Sequence, residues 1–220
     1  MEIIEAIESR KSIRAYKKMN VSKDVLSKII ETSLRSPSAT NLQPWNLYVI
    51  TGEILDQIRH ENVERFLSGG RPTFEEPLLN DLFRSRRSEL AKDLFALLGI
   101  EREDKDKRKA WAARGHGYFD APTVVLIALD LSVLAGTWSL LAIGSFILSF
   151  CLSALEYGLG TCISEQGVAY HDIIRKYVDV PESQRLIISI TVGYPDFSAP
   201  ENQLVSTRVA VDDAVHWYGY

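Results

Sequence analysis

The sequence predicts an α+β fold, because a few strands and many helices follow one another without regular alternation. Two continuous apolar runs, Thr123–Leu129 and Leu186–Val192, are typical of central strands that are covered on both faces. A third run, Leu47–Thr51, alternates in the manner of a half-buried strand. Since single helices do not separate these strands in a βαβ pattern, a doubly wound fold is not expected.

Helical periodicity predicts most of the remaining elements. Residues 2–9 place Ile3, Ile4 and Ile7 at helical spacing. Ser22 is suited to be the N-cap of a helix over 22–35, because the apolar stripe begins three residues later. Further helices are predicted over 53–66, 76–98, 135–157 and 171–177.

The helix over 135–157 raises the question of a membrane span. The 18 residues from Trp138 to Leu155 include no charged residue. An uncharged apolar segment of this length is a candidate for a membrane-spanning helix. It contains four serines, however, and no Lys/Arg cluster flanks it. A helix that is apolar on all sides is equally suited to a large core or a subunit interface, which we favour. Membrane anchoring, the alternative, predicts extraction that depends on detergent.

Composition and charge exclude several classes of protein. The 220-residue chain has a net charge of −4, which argues against a nucleic-acid partner. Its first nine residues are acidic and amphipathic, unlike a signal peptide. Cys151 and Cys162 form no Cys-x-x-Cys pair, which favours a reduced, cytoplasmic protein. The four histidines are isolated, so no metal site is expected and each is interpreted as an ordinary core or surface residue.

Two motifs indicate a ligand. Arg10-Lys11-Ser12-Ile13-Arg14 gathers three cations and a hydroxyl, which suits an anion, although a solvated basic turn would look the same. The stretch 36–45 is rich in turn-forming and amide side chains, and it is stiffened by Pro37 and Pro44. Such a loop can present polar groups to a flat ring, or it can be purely structural. Together the two motifs suggest a phosphorylated heteroaromatic cofactor.

In their order and spacing, Arg10-x-Ser12-x-Arg14 and Pro37-Ser38-x-x-Asn41-x-Gln43-Pro44-Trp45 resemble the FMN-dependent nitroreductase family. The resemblance spans nearly the whole chain. It implies that Arg10 and Ser12 hold the ribityl phosphate, and that Arg14 lies near N1 and O2 of the isoalloxazine. It also implies that a loop reaches across a dimer interface to the flavin of the other subunit, through Pro37, Ser38, Ala39, Asn41 and Gln43.

Two later segments extend this resemblance. Gly158-x-Gly160 lacks the third glycine of a dinucleotide fingerprint and is placed to end the apolar helix. By resemblance, Ile163, Ser164 and Glu165 pass the flavin N5. Many family members have Glu-Gly here, whereas this chain has Glu165-Gln166-Gly167. In the tail, Arg208 would be a further phosphate ligand. Ser206 stands where a lysine is common, and Lys11 is a possible replacement for it.

The domain organisation expected from these motifs is a single FMN-binding domain over 1–220. Residues 67–118 are expected to form a helical insertion that acts as a lid, and 198–220 an extended C-terminal arm. By its length, and by its cationic stretch Arg84-Ser85-Arg86-Arg87, this insertion resembles that of the family branch that reduces nitrobenzoates. Arg86 and Arg87 are therefore candidates for binding an anionic substrate.

The resemblance implies a mixed central sheet with flanking helices and a homodimer with the long apolar helix at its interface. It also implies ping-pong electron transfer from NAD(P)H, through FMN, to a small acceptor such as a nitroaromatic or a quinone. No side chain is expected to act as nucleophile or general acid, because the cofactor carries the chemistry. Three alternatives remain open at this stage: reductive dehalogenation, flavin destruction, and a non-enzymatic flavin sensor.

Overall fold

A computed structural model describes residues 2–74 and 77–219. Four strands form one sheet in the order β1-β2-β4-β3. Their bounds are Trp45–Thr51 (β1), Thr123–Asp130 (β2), Gly160–Ser164 (β3) and Gln184–Gly193 (β4). Nine α-helices are found in the described ranges: Ile3–Ser9 (α1), Lys23–Ser33 (α2), Gly52–Leu67 (α3), Asp81–Leu97 (α4), Lys105–His116 (α5), Leu131–Leu134 (α6), Thr137–Glu156 (α7), His171–Tyr177 (α8) and Val211–Ala214 (α9).

The α+β prediction is confirmed, but the expected mixed sheet is wrong for these four strands. Every neighbouring pair of strands runs antiparallel. In the described part of the chain, a parallel pairing occurs at the isolated bridge between Ser12 and Thr161. β3 is a strand that the sequence analysis did not identify.

Most predicted helices lie close to their expected positions. Ser22 caps α2 as predicted, since its hydroxyl accepts a hydrogen bond from the Val25 N–H at 3.3 Å. The helix predicted over 76–98 begins only at Asp81, after an Asn80 N-cap, and Glu76 lies outside the described residues. The helix predicted over 135–157 is preceded by the short α6, and Gly136 is the N-cap of α7.

The core lies on both faces of the sheet. The central strand β2 is accordingly buried along nearly its whole length. Side chains of a strand alternate between faces. Val125, Ile127 and Leu129 accordingly pack with α2 and α7. Val124, Leu126 and Ala128 pack on the opposite face with residues of α3 and α8. The apolar run seen in the sequence is therefore explained by helices on both sides.

Helix α7 contributes one face to this core and leaves the other exposed. Phe146, Phe150 and Cys151 are fully buried against the sheet. Trp138 and Leu141, in contrast, are 66% and 60% exposed. In the described part of the chain, α7 is the one helix long and apolar enough to cross a membrane, and 39% of its most apolar window is buried.

Candidate active site

The cation motif lies at the edge of the sheet beside β3. Ser12 forms the parallel bridge with Thr161, and the Ile13 N–H donates to the Thr161 carbonyl at 2.9 Å. Gly160 permits this close approach, since a Cβ there would collide with Ile13. Because side chains of an extended segment alternate, Arg10, Ser12 and Arg14 share one face while Ile13 is buried on the other.

The three polar side chains all lie near one buried thiol, that of Cys162. Burial raises the pKa of Cys162, and the Arg14 charge, a hydrogen bond from Ser12 and the Arg10 charge each oppose that rise. Among the described residues, neither arginine has a carboxylate within 4.0 Å. Two partly buried cations without an acidic partner make this face suited to an anionic ligand.

Lys11 lies apart from this cluster. Its ammonium lies 5.8 Å from the centre of the Phe197 ring, in a cation–π contact. The alternation of the extended segment that brings Arg10 and Arg14 together turns Lys11 to the other face. The structure therefore does not bring Lys11 to the face on which the sequence analysis placed it.

The turn that follows β3 is held through its carbonyl groups. The Ser189 hydroxyl donates to the Ser164 carbonyl at 2.5 Å, and the Tyr118 hydroxyl donates to the Gly167 carbonyl at 2.7 Å. Gly167 is required here because a Cβ would collide with both Ser189 and Tyr118. The close packing of Ser189 and Tyr118 therefore restricts position 167 of the turn to glycine.

Backbone donors of the same turn remain available. Among the described residues, the N–H groups of Glu165 and Gln166 take no part in the backbone hydrogen bonds found outside helices and strands. Ile163 and Glu165 are exposed, and Ser164 is buried. The turn can therefore offer N–H donors to a ligand that lies beside β3.

A cleft of about 780 Å³ opens between this turn and the predicted insertion. Its wall includes an aromatic stack, in which the His116 ring lies 4.4 Å from the Phe66 ring and 5.6 Å from the Tyr170 ring, measured between ring centres. Phe74 and Arg87 also line it. A planar, apolar molecule of modest size suits these walls.

The sequence predicts an ordinary core or surface residue at His116, whereas the structure places His116 in the wall of the cleft. It is 5% exposed. Burial lowers its pKa to about 4, against a smaller opposing effect of the Gln166 backbone. The imidazole is therefore neutral at pH 7, and among the described residues its Nδ1 has no hydrogen-bond partner.

The two arginines predicted to bind substrate occupy different environments. Arg87 lines the cleft. As far as the described residues define the cleft, Arg86 does not line it, and its guanidinium lies 5.8 Å from the centre of the Phe83 ring. Neighbouring residues of a helix point in different directions, so α4 presents one of the pair to the cleft.

The predicted flavin loop docks on α7 of its own chain. The Ser36 hydroxyl donates to the Ser149 hydroxyl at 2.8 Å, and the Ser38 hydroxyl accepts from the Gln43 N–H at 2.9 Å. Left-handed backbone at Asn41 (φ 58°) and Gln43 (φ 47°) gives the loop a specific, strained shape. Pro37, Ala39, Asn41 and Gln43 are exposed, and Ser38 is partly buried.

Within one chain, neither the loop nor the tail segment 206–208 joins the cation cluster. Among the described residues, no hydrogen bond links the loop to segment 10–14 or to Ile163–Glu165. In the exposed tail, the Arg208 guanidinium bonds, within the described part of the chain, only to its neighbours: to the Ser206 hydroxyl at 2.7 Å and to backbone carbonyls. One chain thus brings together Arg10, Ser12, Arg14 and the β3 turn, but not Ser206 and Arg208.

A model of the nitroreductase family matches residues 7–194. The chain belongs to the nitroreductase family. Its fold matches the crystal structure of the FMN and NADPH-dependent nitroreductase NfnB from sphigopyxis sp. strain HMH, with a TM-score of 0.94, 30% identity and 100% coverage of both chains.

Curated relatives are similar over nearly the full length. The nitrobenzene nitroreductase of Ectopseudomonas oleovorans is 28% identical, and the match covers 96% of this chain and 94% of the relative. The 4-nitrobenzoate reductase of Nocardioides sp. (strain LMS-CY) is 27% identical, with 94% and 85% covered.

Proposed function

We propose that the protein reduces nitroaromatic compounds with electrons from NAD(P)H, by means of FMN bound beside β3. Full-length similarity to an FMN and NADPH-dependent nitroreductase and to two nitroarene reductases supports this function. The observation that carries it is the convergence of Arg10, Ser12 and Arg14 beside a turn with available N–H donors. When bound, FMN supplies hydride transfer in two half-reactions, so NAD(P)H leaves before the acceptor enters.

The residues present fit a phosphorylated flavin. Arg10 and Ser12 would hold the phosphate through charge-assisted hydrogen bonds, each worth roughly 1.5–3 kcal/mol. Arg14 would place a positive charge at the pyrimidine edge, where it stabilises the negative charge that the ring gains on reduction. The N–H groups of Glu165 and Gln166 would orient the edge that carries the reacting atom.

A second copy of the chain would complete each site. The exposed side of α7 continues into α1, where Ile3 and Ile4 are 71% and 67% exposed. So large an apolar face is typical of a subunit interface. Because the 36–45 loop docks on α7, a dimer formed through α7 would carry this loop to the partner's cation cluster. The exposed arm from residue 205 would extend over the partner in the same way.

The membrane alternative for α7 conflicts with its packing. Phe146 and Phe150 belong to the core on the sheet. Insertion of the helix into lipid would remove both from that core, at about 3–5 kcal/mol for each large aromatic side chain. A second copy covers the exposed side while leaving the core intact. We place the protein in the cytoplasm, in keeping with its two buried free thiols.

The substrate would bind in the aromatic cleft. Phe66, Phe74 and Tyr170 offer flat surfaces to an arene, and Arg87 offers a charge to an acidic substituent. The segment 67–118 would act as the lid that excludes water from this cleft. His116 is neutral and buried, so it would serve as a wall and not as an acid.

Anaerobic titration tests this function. The protein is loaded with FMN, its visible flavin absorbance is bleached with NADPH, and nitrobenzene is then added. We expect complete bleaching, followed by recovery of the absorbance. If the protein binds FMN but neither NADH nor NADPH reduces it, a flavin sensor would be favoured. A protein that takes up no FMN would refute the proposal.

A further inference from the structure

The backbone of Arg14 is held by side chains from distant parts of the chain. Arg114, near the end of α5, donates from Nη2 to the Arg14 carbonyl at 3.0 Å, across 100 positions of sequence. Asn202 accepts the Arg14 N–H on its Oδ1 at 2.7 Å, across 188 positions. Both backbone polar groups of one residue are thus bound by side chains and not by a strand or helix.

Of the two groups that hold Arg14, Asn202 is buried and Arg114 is partly exposed, and each has a further hydrogen-bond partner. Asn202 is fully buried, and its amide also donates to the Ala15 and Asp196 carbonyls, each at 2.8 Å. Glu201 is 5% exposed and accepts from Arg114 Nη1 at 2.6 Å. A buried carboxylate needs such a partner, so the Glu201 charge fixes the position of the Arg114 guanidinium.

The side chains of Arg114 and Asn202 form a clamp on the Arg14 backbone. This clamp affects the position of the positive charge that Arg14 carries. The Arg14 guanidinium lies close enough to the Cys162 thiol to oppose the effect of burial on its pKa. When the backbone of an arginine is fixed, the positions that its guanidinium can reach are limited to a few rotamers. The clamp therefore determines where this positive charge lies relative to β3.

We infer that Arg114 is a positioning residue, which acts through Arg14 to set the reduction potential of the bound flavin. The inference rests on the proposed function. Arg114 lies in the segment predicted to be the lid, so it also ties that segment to the cofactor site. A cation displaced from the pyrimidine edge would bind the reduced ring less well relative to the oxidised ring, and the potential would fall.

The main test is Arg114→Lys, measured as the two-electron midpoint potential of the FMN-loaded protein. A lysine keeps the ion pair with Glu201 but lacks the planar fork that reaches the Arg14 carbonyl as well. We expect binding of reduced relative to oxidised flavin to weaken about tenfold, which lowers the potential by about 30 mV.

Arg59→Lys is the matched control. Like Arg114, Arg59 combines hydrogen bonds to the backbone with an ion pair. Its guanidinium donates to the carbonyls of Gly117 at 3.0 Å and Ala121 at 2.7 Å, and it pairs with Asp56. Both variants should lose similar stability on unfolding by urea. Only Arg114→Lys should change the potential, and an equal shift in Arg59→Lys would overturn the inference.

A double-mutant cycle shows whether Arg114 acts through Arg14. Arg14→Gln removes the charge itself, so adding Arg114→Lys to it should produce no further shift. A full additional shift, or an unchanged potential in Arg114→Lys alone, would overturn the inference. If Arg114→Lys does not fold, Arg114→Gln with Glu201→Gln leaves no unpaired buried charge, and an unchanged potential there would overturn it too. Wild-type protein that takes up no FMN would overturn the proposed function, and this inference with it.

Discussion

His116 should make the stability of the fold depend on pH in a defined direction. Its pKa in the folded protein is about 4, against an ordinary value of 6.5. The unfolded chain therefore binds a proton at a higher pH than the folded chain does. The stability that the fold gains from keeping His116 neutral is fully present well above pH 6.5. It is lost as the pH falls from 6.5 toward 4.

The size of the effect follows from the pKa difference. At 1.36 kcal/mol for each pKa unit, protonation of His116 costs the fold about 3 kcal/mol in total. Between pH 7 and pH 5 the loss is about 2 kcal/mol. His171 adds to the trend in the same direction, since burial, helped by the charges of Arg175 and Arg185, lowers its pKa.

The assay is urea unfolding of the FMN-free protein at fixed concentration, at several values of pH from 7 to 5, for wild type and His116→Phe. A phenylalanine preserves the stack with Phe66 and Tyr170 but cannot bind the proton. We expect the variant to lose about 2 kcal/mol less than wild type over this range. His60→Gln, which removes an exposed histidine, should follow wild type. Parallel pH curves for wild type and His116→Phe would refute the reasoning.

Three further predictions concern stability, assembly and substrate. Tyr118→Phe leaves the buried Gly167 carbonyl unpaired and should destabilise the fold by about 1–3 kcal/mol; urea unfolding that shows no loss, or the same loss in the half-buried Tyr48→Phe, would contradict this. Leu141→Lys with Leu148→Lys should yield monomers in sedimentation experiments, whereas Val49→Lys on an edge strand should not; dimers of the double variant would count against the α7 interface. Arg87→Ala should raise the KM for 4-nitrobenzoate at least tenfold, from the loss of roughly 1.5–3 kcal/mol, and leave nitrobenzene unaffected; an equal effect of Arg86→Ala would remove the distinction between the two arginines.

Elements with a strong local signal could be predicted from the sequence. The long apolar runs of β2 and β4 predict both strands, and Ser22 is predictable as a cap because its side chain acts within one turn. β3 has no comparable signal, because it is five residues long and contains few apolar side chains. Its conformation depends on pairing with β4 and on the bridge from Ser12. The antiparallel direction has no local signal either, because strand direction depends on how distant segments connect.

The candidate site shows the same division between local and distant information. The Arg10, Ser12, Arg14 motif could be predicted because its members lie within five residues. The opposite orientation of Lys11 became clear only with the extended backbone that the bridge to Thr161 imposes. His116 gave no signal, since its stacking partners Phe66 and Tyr170 are far away in the sequence. The 36–45 loop and Arg208 would meet the cations only in a dimer.

The most direct test of the shared site is the flavin content of a mixed dimer. One chain carries Arg10→Ala and Arg14→Ala, and the other carries Asn41→Ala and Gln43→Ala, so that each homodimer should lose FMN. If each site combines the cations of one chain with the loop of its partner, one site of the mixed dimer contains both defects and the other contains none. The account predicts one FMN for each mixed dimer, which NADPH reduces and nitrobenzene reoxidises. A mixed dimer without FMN would contradict it, because each site would then lie within a single chain.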